Sequence, residues 1–187
     1  MRLLLLALAA VGFVLGTSAC EREGCLANDE GCTVPAACAA LTFECADPTV
    51  ELLVVSDPSQ VPGGLDAMGA VGDFLLQNGR VQAVIDNLDH PADLAPTGGA
   101  LLDLANRDRN DDAINHIFQA VGALPGDAVA YNSFKIIEGD GFVALQFAGH
   151  LVGDEQQRVH TRYELRSCEP GLRVRTEMVN GGDDVVV

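Results

Sequence analysis

Three oxygen-bearing side chains, Asn106, Asp108 and Asn110, stand at alternate positions in the stretch NRDRNDD. That spacing is what a loop needs to wrap its oxygens around a calcium ion. An EF-hand loop also needs glycine at its sixth position and glutamate at its twelfth; here those positions hold Asp111 and Ile117. Asn and Asp equally serve plain turns, by bonding to their own backbone. The turn is the stronger reading, with calcium at Asn106, Asp108 and Asn110 as the one cofactor candidate.

A second cluster, Asp86, Asp89, His90 and Asp93 in DNLDHPAD, puts carboxylates beside an imidazole. Such groups do acid–base work or bind metal when a fold converges them. Pro91 and Pro96 place them instead in a loop between strands, and no nucleophile or oxyanion donor lies adjacent. His90, His116, His150 and His160 show no metal-ligand spacing, so no catalytic residue is assigned.

The densest positive charge lies in TRYELRSCEPGLRVRTEMVN, residues 161–180, with Arg162, Arg166, Arg173 and Arg175. Pro170-Gly171 suits a two-residue type II turn. A hairpin turning there would set Arg166 opposite Arg175, Glu164 opposite Glu177 and Tyr163 opposite Met178. Val159, Thr161, Tyr163 and Leu165 would share an inward face with Val174, Thr176 and Met178. The arginines and interleaved glutamates would form a solvated face. Exposed ion pairs contribute only ~0–1 kcal/mol each, so such a ladder does not hold a fold together.

The elements that must position these groups are mostly strands. VELLVV (50–55) is a short apolar run of strand type. In GDFLLQNGRVQAVID, Asn78-Gly79 divides two apolar stretches, as a type I′ hairpin turn does. YNSFKIIEGDGFVALQFAG repeats the device around Gly139-Asp140-Gly141, and Val143, Leu145 and Phe147 alternate with Ala144, Gln146 and Ala148. In DDAINHIFQAVGAL, Ile114, Ile117, Phe118 and Val121 recur at helical spacing, giving a short helix or a buried loop. The pattern predicts a mainly β, antiparallel β-sandwich over 48–187, built from hairpins with at most one short helix.

The chain opens MRLLLLALAAVGFVLGTSAC, one positive charge before an apolar run from Leu3 to Leu15. The run is too short to span a bilayer and fits a secretory signal over residues 1–19. Cys20 directly follows the small residues, as the lipid-attachment cysteine of a bacterial lipoprotein does, although Thr17 stands where that pattern usually has leucine. The alternative is ordinary cleavage after Ala19. Either way the protein is expected to be exported to the cell envelope, as an outer-membrane lipoprotein or a periplasmic or extracellular protein.

Residues 20–47 form a cysteine-rich lead. Cys25, Cys32, Cys38 and Cys45 in an exported chain read as a local disulfide framework of undecided connectivity. Zinc would need paired C-x-x-C spacings, which are absent. Cys168 is then left over, its partner either Cys20 or a cysteine beyond Val187. The ending GGDDVVV, on an apolar β-branched run, reads as a domain that continues.

Net charge is −16, with Lys135 the single lysine against ten arginines. Such a surface repels phosphate backbones, which excludes nucleic acid as a partner. It leaves membrane contact to the lipid anchor alone.

NGRVQAVID, GGALLDL, INH, FKIIEGDGFVALQF and the run from Arg158 to Val187 follow one another as in a known family. In that order they resemble the N-terminal part of a galactose-mutarotase-like β-supersandwich, the aldose 1-epimerase superfamily. The resemblance covers roughly residues 78–187 and implies part of a supersandwich. Epimerases of this type use a histidine acid, a glutamate base and a further histidine in an Asn-x-x-His-Gly-Gly context. Here Asn115 and His116 are adjacent, with no Gly-Gly following. A looser resemblance is to myxobacterial-type surface lipoproteins, in which similar segments precede a PHP-type metallohydrolase domain. The expected function is a lipid-anchored binding or scaffold module, with a carbohydrate or a cell-surface protein as partner and no catalytic site of its own. The alternative is the N-terminal portion of a larger secreted enzyme, epimerase-like or metallohydrolase.

Overall fold

The structure, a computed structural model, describes residues 43–89, 91, 95–112, 114, 116–122 and 124–181. The signal segment, Cys20, Cys25, Cys32, Cys38, His90, Asp93 and Asn115 lie outside the described residues. Ten strands follow in chain order: β1 Val50–Val54, β2 Gly63–Gly64, β3 Phe74–Asn78, β4 Val81–Ile85, β5 Leu101–Asn106, β6 Asp111–Asp112, β7 Val129–Gly139, β8 Phe142–Leu151, β9 Asp154–Arg166 and β10 Arg173–Asn180. Eight of them form two four-stranded antiparallel sheets, ordered β1-β3-β4-β5 and β10-β9-β8-β7. The chain is a mainly β, antiparallel sandwich. Among the described residues the only helical piece is a single turn, Pro58–Gln60.

One apolar cluster joins the sheets. Phe74, Leu76, Ala83 and Ile85 from the first sheet meet Leu145, Phe147, Val159, Tyr163 and Leu165 from the second. Fully burying each such side chain contributes about 1.5–3 kcal/mol. The two sheets differ in what their far faces do. The far face of the first carries a second cluster, Val55, Leu75, Val84, Ala100 and Leu102, beneath Val61, Met68 and Phe118. Both faces being covered, β3 and β4 read as nearly continuous apolar runs. The far face of the second sheet meets solvent, so β8 and β9 alternate.

Buried carboxylates fasten the loops over the first sheet. Asp103 accepts from the amides of Met68 (2.7 Å) and Gly69 (2.9 Å), and Asp73 from those of Ala70 and Asn87. Asp86 accepts from Ala100, and Asp112 from Leu104 and Ile114. Burial pushes the Asp103 carboxyl up against the pull of its two amides, and the charges of Asp112 and Asp73 push the same way. The aspartates themselves are buried, and these amides supply the partners that buried polar groups need.

Two expectations about local structure need correction, and one open alternative is decided. Asn78-Gly79 is not a type I′ turn: neither residue has positive φ, Asn78 ends β3, and Gly79 and Arg80 make the connection to β4. Asn78 is buried and uses its side chain for other bonds. The 111–124 segment, for which a short helix and a buried loop are both open, is not helical where described. Ile117 and Leu101 exchange backbone bonds of 2.8 and 2.9 Å, because the open edge of β5 offers pairing that outweighs helical spacing.

The second correction concerns the last hairpin, which turns through Ser167–Leu172 and not through Pro170-Gly171 alone. Arg173 faces Glu164, Val174 faces Tyr163 and Met178 faces Val159, four residues from the expected register. An even shift keeps every side chain on its expected face. Tyr163 and Leu165 are buried, but Val174 and Met178 are 47 % and 41 % exposed, since no strand of the first sheet lies beneath them.

Cys168 is the reason for the longer turn. Buried, with φ of 64°, it is bonded to Cys45 across 123 residues of sequence. Cys45 is therefore not part of a purely local staple. The partner of Cys168 is neither Cys20 nor a cysteine past Val187.

Candidate functional site

The outer face of the second sheet is where a polar site can form. A tight connection at Asp140-Gly141 sets Phe134 opposite Phe147 and Lys135 opposite Gln146. Across the next ladder, Ala148 faces His160 and Gln146 faces Arg162. Because side chains alternate, Lys135, Gln146, Ala148, His150, Arg158, His160 and Arg162 share the outward face.

The small residues of β8 make a trough there. Ala148 and Gly149 give its floor, and Asn132, His150, Glu155, Arg158 and His160 stand around one end. Ser133, Lys135, Gln146 and His160 surround the other. A Cβ at Gly149 would lie 2.0 Å from the Ala130 carbonyl oxygen, so no larger residue keeps both the floor and the β7 ladder. The Nδ1 atom of His160 is buried and, among the described residues, has no hydrogen-bond partner. Buried polar atoms usually have one.

Beside the trough the charges are interlocked. Glu164 accepts from Arg162 Nε (3.0 Å) and Nη2 (2.5 Å), and from Arg166 Nε (2.6 Å). Both guanidiniums also lie over the Phe142 ring, at 5.5 and 5.9 Å. Arg173 pairs with Glu169, and Arg175 with Glu177 on its own strand. The diagonal Glu164–Arg175 and Arg166–Glu177 neighbours of the expected register do not form, since the ladder sits four residues away.

Burial alone would raise the Glu164 carboxyl, but the bonds from Arg166 and Arg162 outweigh it and hold the group below its ordinary 4.5. A depressed folded pKa contributes stability above the unfolded value, and that stability is lost as pH falls through the folded one. Glu164→Gln is therefore expected to cost about 1 kcal/mol at pH 7, as a partly exposed pair allows. The difference from the parent should vanish at pH below the folded value. Urea unfolding across pH 2–7 measures it.

The positions singled out in the sequence fall elsewhere. Asn106 accepts from the Asp108 amide, and Asn110, with φ of 47°, accepts from Gln82 Nε2 at 2.7 Å and from the Gly63 amide. These oxygens serve the turn after β5, and Asp108 is exposed beside them. Asp86 is buried under the first sheet's loops, while Asp89 is exposed. His116 stacks on Phe118, at 5.5 Å. No group of three or more His, Cys, Asp or Glu among the described residues could hold a metal ion.

The buried phenols are not poised for proton transfer near neutral pH. Burial pushes Tyr131 up to about 12, although it donates to Thr161, and pushes Tyr163 higher still.

Strand alternation puts Arg158 and His160 on one polar face, but spacing does not join Lys135 and His150 to them, because the β8–β9 connection carries no strong turn signal. Val152 and Gly153 make it, held by their amides to the carbonyls of Ala128 and Gly126. Alternation along each strand was the available signal.

No family model matches this chain, and neither a curated protein nor a solved structure does. Fold and site define a class: an antiparallel β-sandwich with one loop-covered sheet and one sheet presenting a polar outer face.

Proposed function

We propose that this protein is an exported binding module whose ligand face is the trough on the second sheet, and that the ligand is a carbohydrate. The observation that carries this is the convergence of Lys135, Gln146, Arg158 and His160 around a floor of Ala148 and Gly149. Two cations, an amide and an imidazole supply donors and acceptors for hydroxyl and carboxylate groups. Their placement on paired strands presets the geometry, which reduces the ordering cost of binding. The likeness to mutarotase-like proteins supports a sugar as ligand, and an anchor at Cys20 would hold the module at the cell envelope.

A glycan array followed by titration of the bound sugars tests the reading. Lys135→Ala and Arg158→Ala are each expected to weaken binding about tenfold, the loss of one charge-assisted bond, without shifting the melting curve. Failure to bind any glycan would remove the carbohydrate. Binding that ignores both substitutions would remove the trough. Mass spectrometry of the mature N-terminus separately decides whether Cys20 carries lipid.

A further inference from the structure

β10 is an edge strand of the second sheet, and all its residues from Arg173 to Asn180 are exposed. The Gly181 amide donates to the Gln156 carbonyl, in line with the β9–β10 ladder. Amides alternate in direction along a strand. The odd-numbered residues of β10 therefore bond to β9, and Val174, Thr176 and Met178 point their amides and carbonyls at the open edge. Such a row is a template for another strand.

The opposite edge of this sheet carries features that discourage pairing. β7 has a bulge between Tyr131 and Ser133, and it holds Lys135, the chain's single lysine. β10 pairs with β9 without a register shift.

The sequence of β10 is complementary to itself. An antiparallel pairing about a two-fold axis at Thr176 sets Arg175 opposite Glu177 of the second copy, and Val174 opposite its Met178. It also sets each outward-facing residue against another, as backbone bonding between the strands requires. Moving the axis by one residue would put Arg175 on Arg175 or Glu177 on Glu177, and like charges directly opposite are destabilising. Charge thus selects one register. In the single chain Arg175 and Glu177 contact each other at 2.5 Å, both well exposed; the axis turns that pair into an alternating quartet. Val174 and Met178, exposed on the inward side, gain each other as cover.

We infer that β10 pairs with β10 of a second copy of this chain, joining two second sheets into one continuous antiparallel sheet. The surface lies on the opposite edge from Lys135 and does not depend on the trough binding a ligand.

Sedimentation equilibrium of the full secreted chain over a wide concentration range tests this, with melting curves as a control on folding. The parent is expected to show a reversible monomer–dimer equilibrium. Arg175→Glu and Glu177→Arg should each weaken it roughly tenfold or more, since two facing pairs turn from attractive to repulsive. The double variant carrying both changes should dimerise again, and the two single variants should associate when mixed. Thr176→Pro removes an outward amide and no backbone bond to β9, though it also loses the hydroxyl contacts to Thr161 and Gln119. It should abolish the dimer, with Thr176→Val as the control for the lost hydroxyl. A parent that stays monomeric overturns the inference. So does a dimer indifferent to the single reversals, or a double variant that fails to restore it.

Discussion

Replacing Cys45 and Cys168 together by alanine is expected to lower folding stability by about 4–5 kcal/mol. The bond closes a loop of 123 residues in sequence, nearly the whole sandwich. Releasing it returns that freedom to the unfolded chain, and the cost grows with the logarithm of loop length. Alanine retains the positive φ at position 168, so the backbone cost there is common to parent and variant. Urea unfolding under oxidising conditions measures the difference, and a midpoint within 1 kcal/mol of the parent would refute the expectation. Peptide mapping of the unreduced parent provides an independent check, as one linked pair should contain Cys45 and Cys168.

Asn78→Ala is expected to cost about 3 kcal/mol, although the side chain is small and polar. Asn78 is buried, and its amide group uses both ends. Its Nδ2 donates to the carbonyls of Arg166 (2.8 Å) and Glu169 (2.9 Å), while its Oδ1 accepts from the amides of Arg80 (2.7 Å) and Val81 (2.9 Å). One residue therefore ties the β3–β4 connection of the first sheet to the β9–β10 connection of the second. Truncation leaves four backbone groups to find other partners, and each one left buried and unpaired costs about 1–3 kcal/mol. Asn78→Asp is the sharper comparison. It keeps the acceptor oxygen, loses both donated bonds, and turns a carboxylate toward two carbonyls. It should be at least as damaging at pH 7. A mild effect of Asp beside a severe effect of Ala would mean that the accepted bonds alone matter.

These two features meet at one end of the molecule, where Arg80 also donates to the Glu44 carbonyl at 2.9 Å. That end was the part least legible beforehand. Asn-Gly signals a tight hairpin when local preference decides, but Asn78 is held by a loop some ninety residues away, and the connection falls at Gly79-Arg80 instead. Pro170-Gly171 likewise signals a turn, but Cys168 is tethered to Cys45, and the turn spreads over the residues around it. In both cases a long-range bond outweighs a local preference worth less than itself.

What the sequence determined by itself was the strand character of this protein and the facing of its side chains. Alternation in β8 and β9 and the nearly continuous apolar runs of β3 and β4 are properties of neighbours along the chain. They survive a four-residue slip in the last hairpin because the period of a strand is two. The tertiary structure alone decided the pairing of Cys45 with Cys168, the role of Asn78, and the placing of Lys135 beside His160. Those depend on which distant segments become neighbours. That is set by the packing of two sheets on one core, which spacing along the chain does not encode.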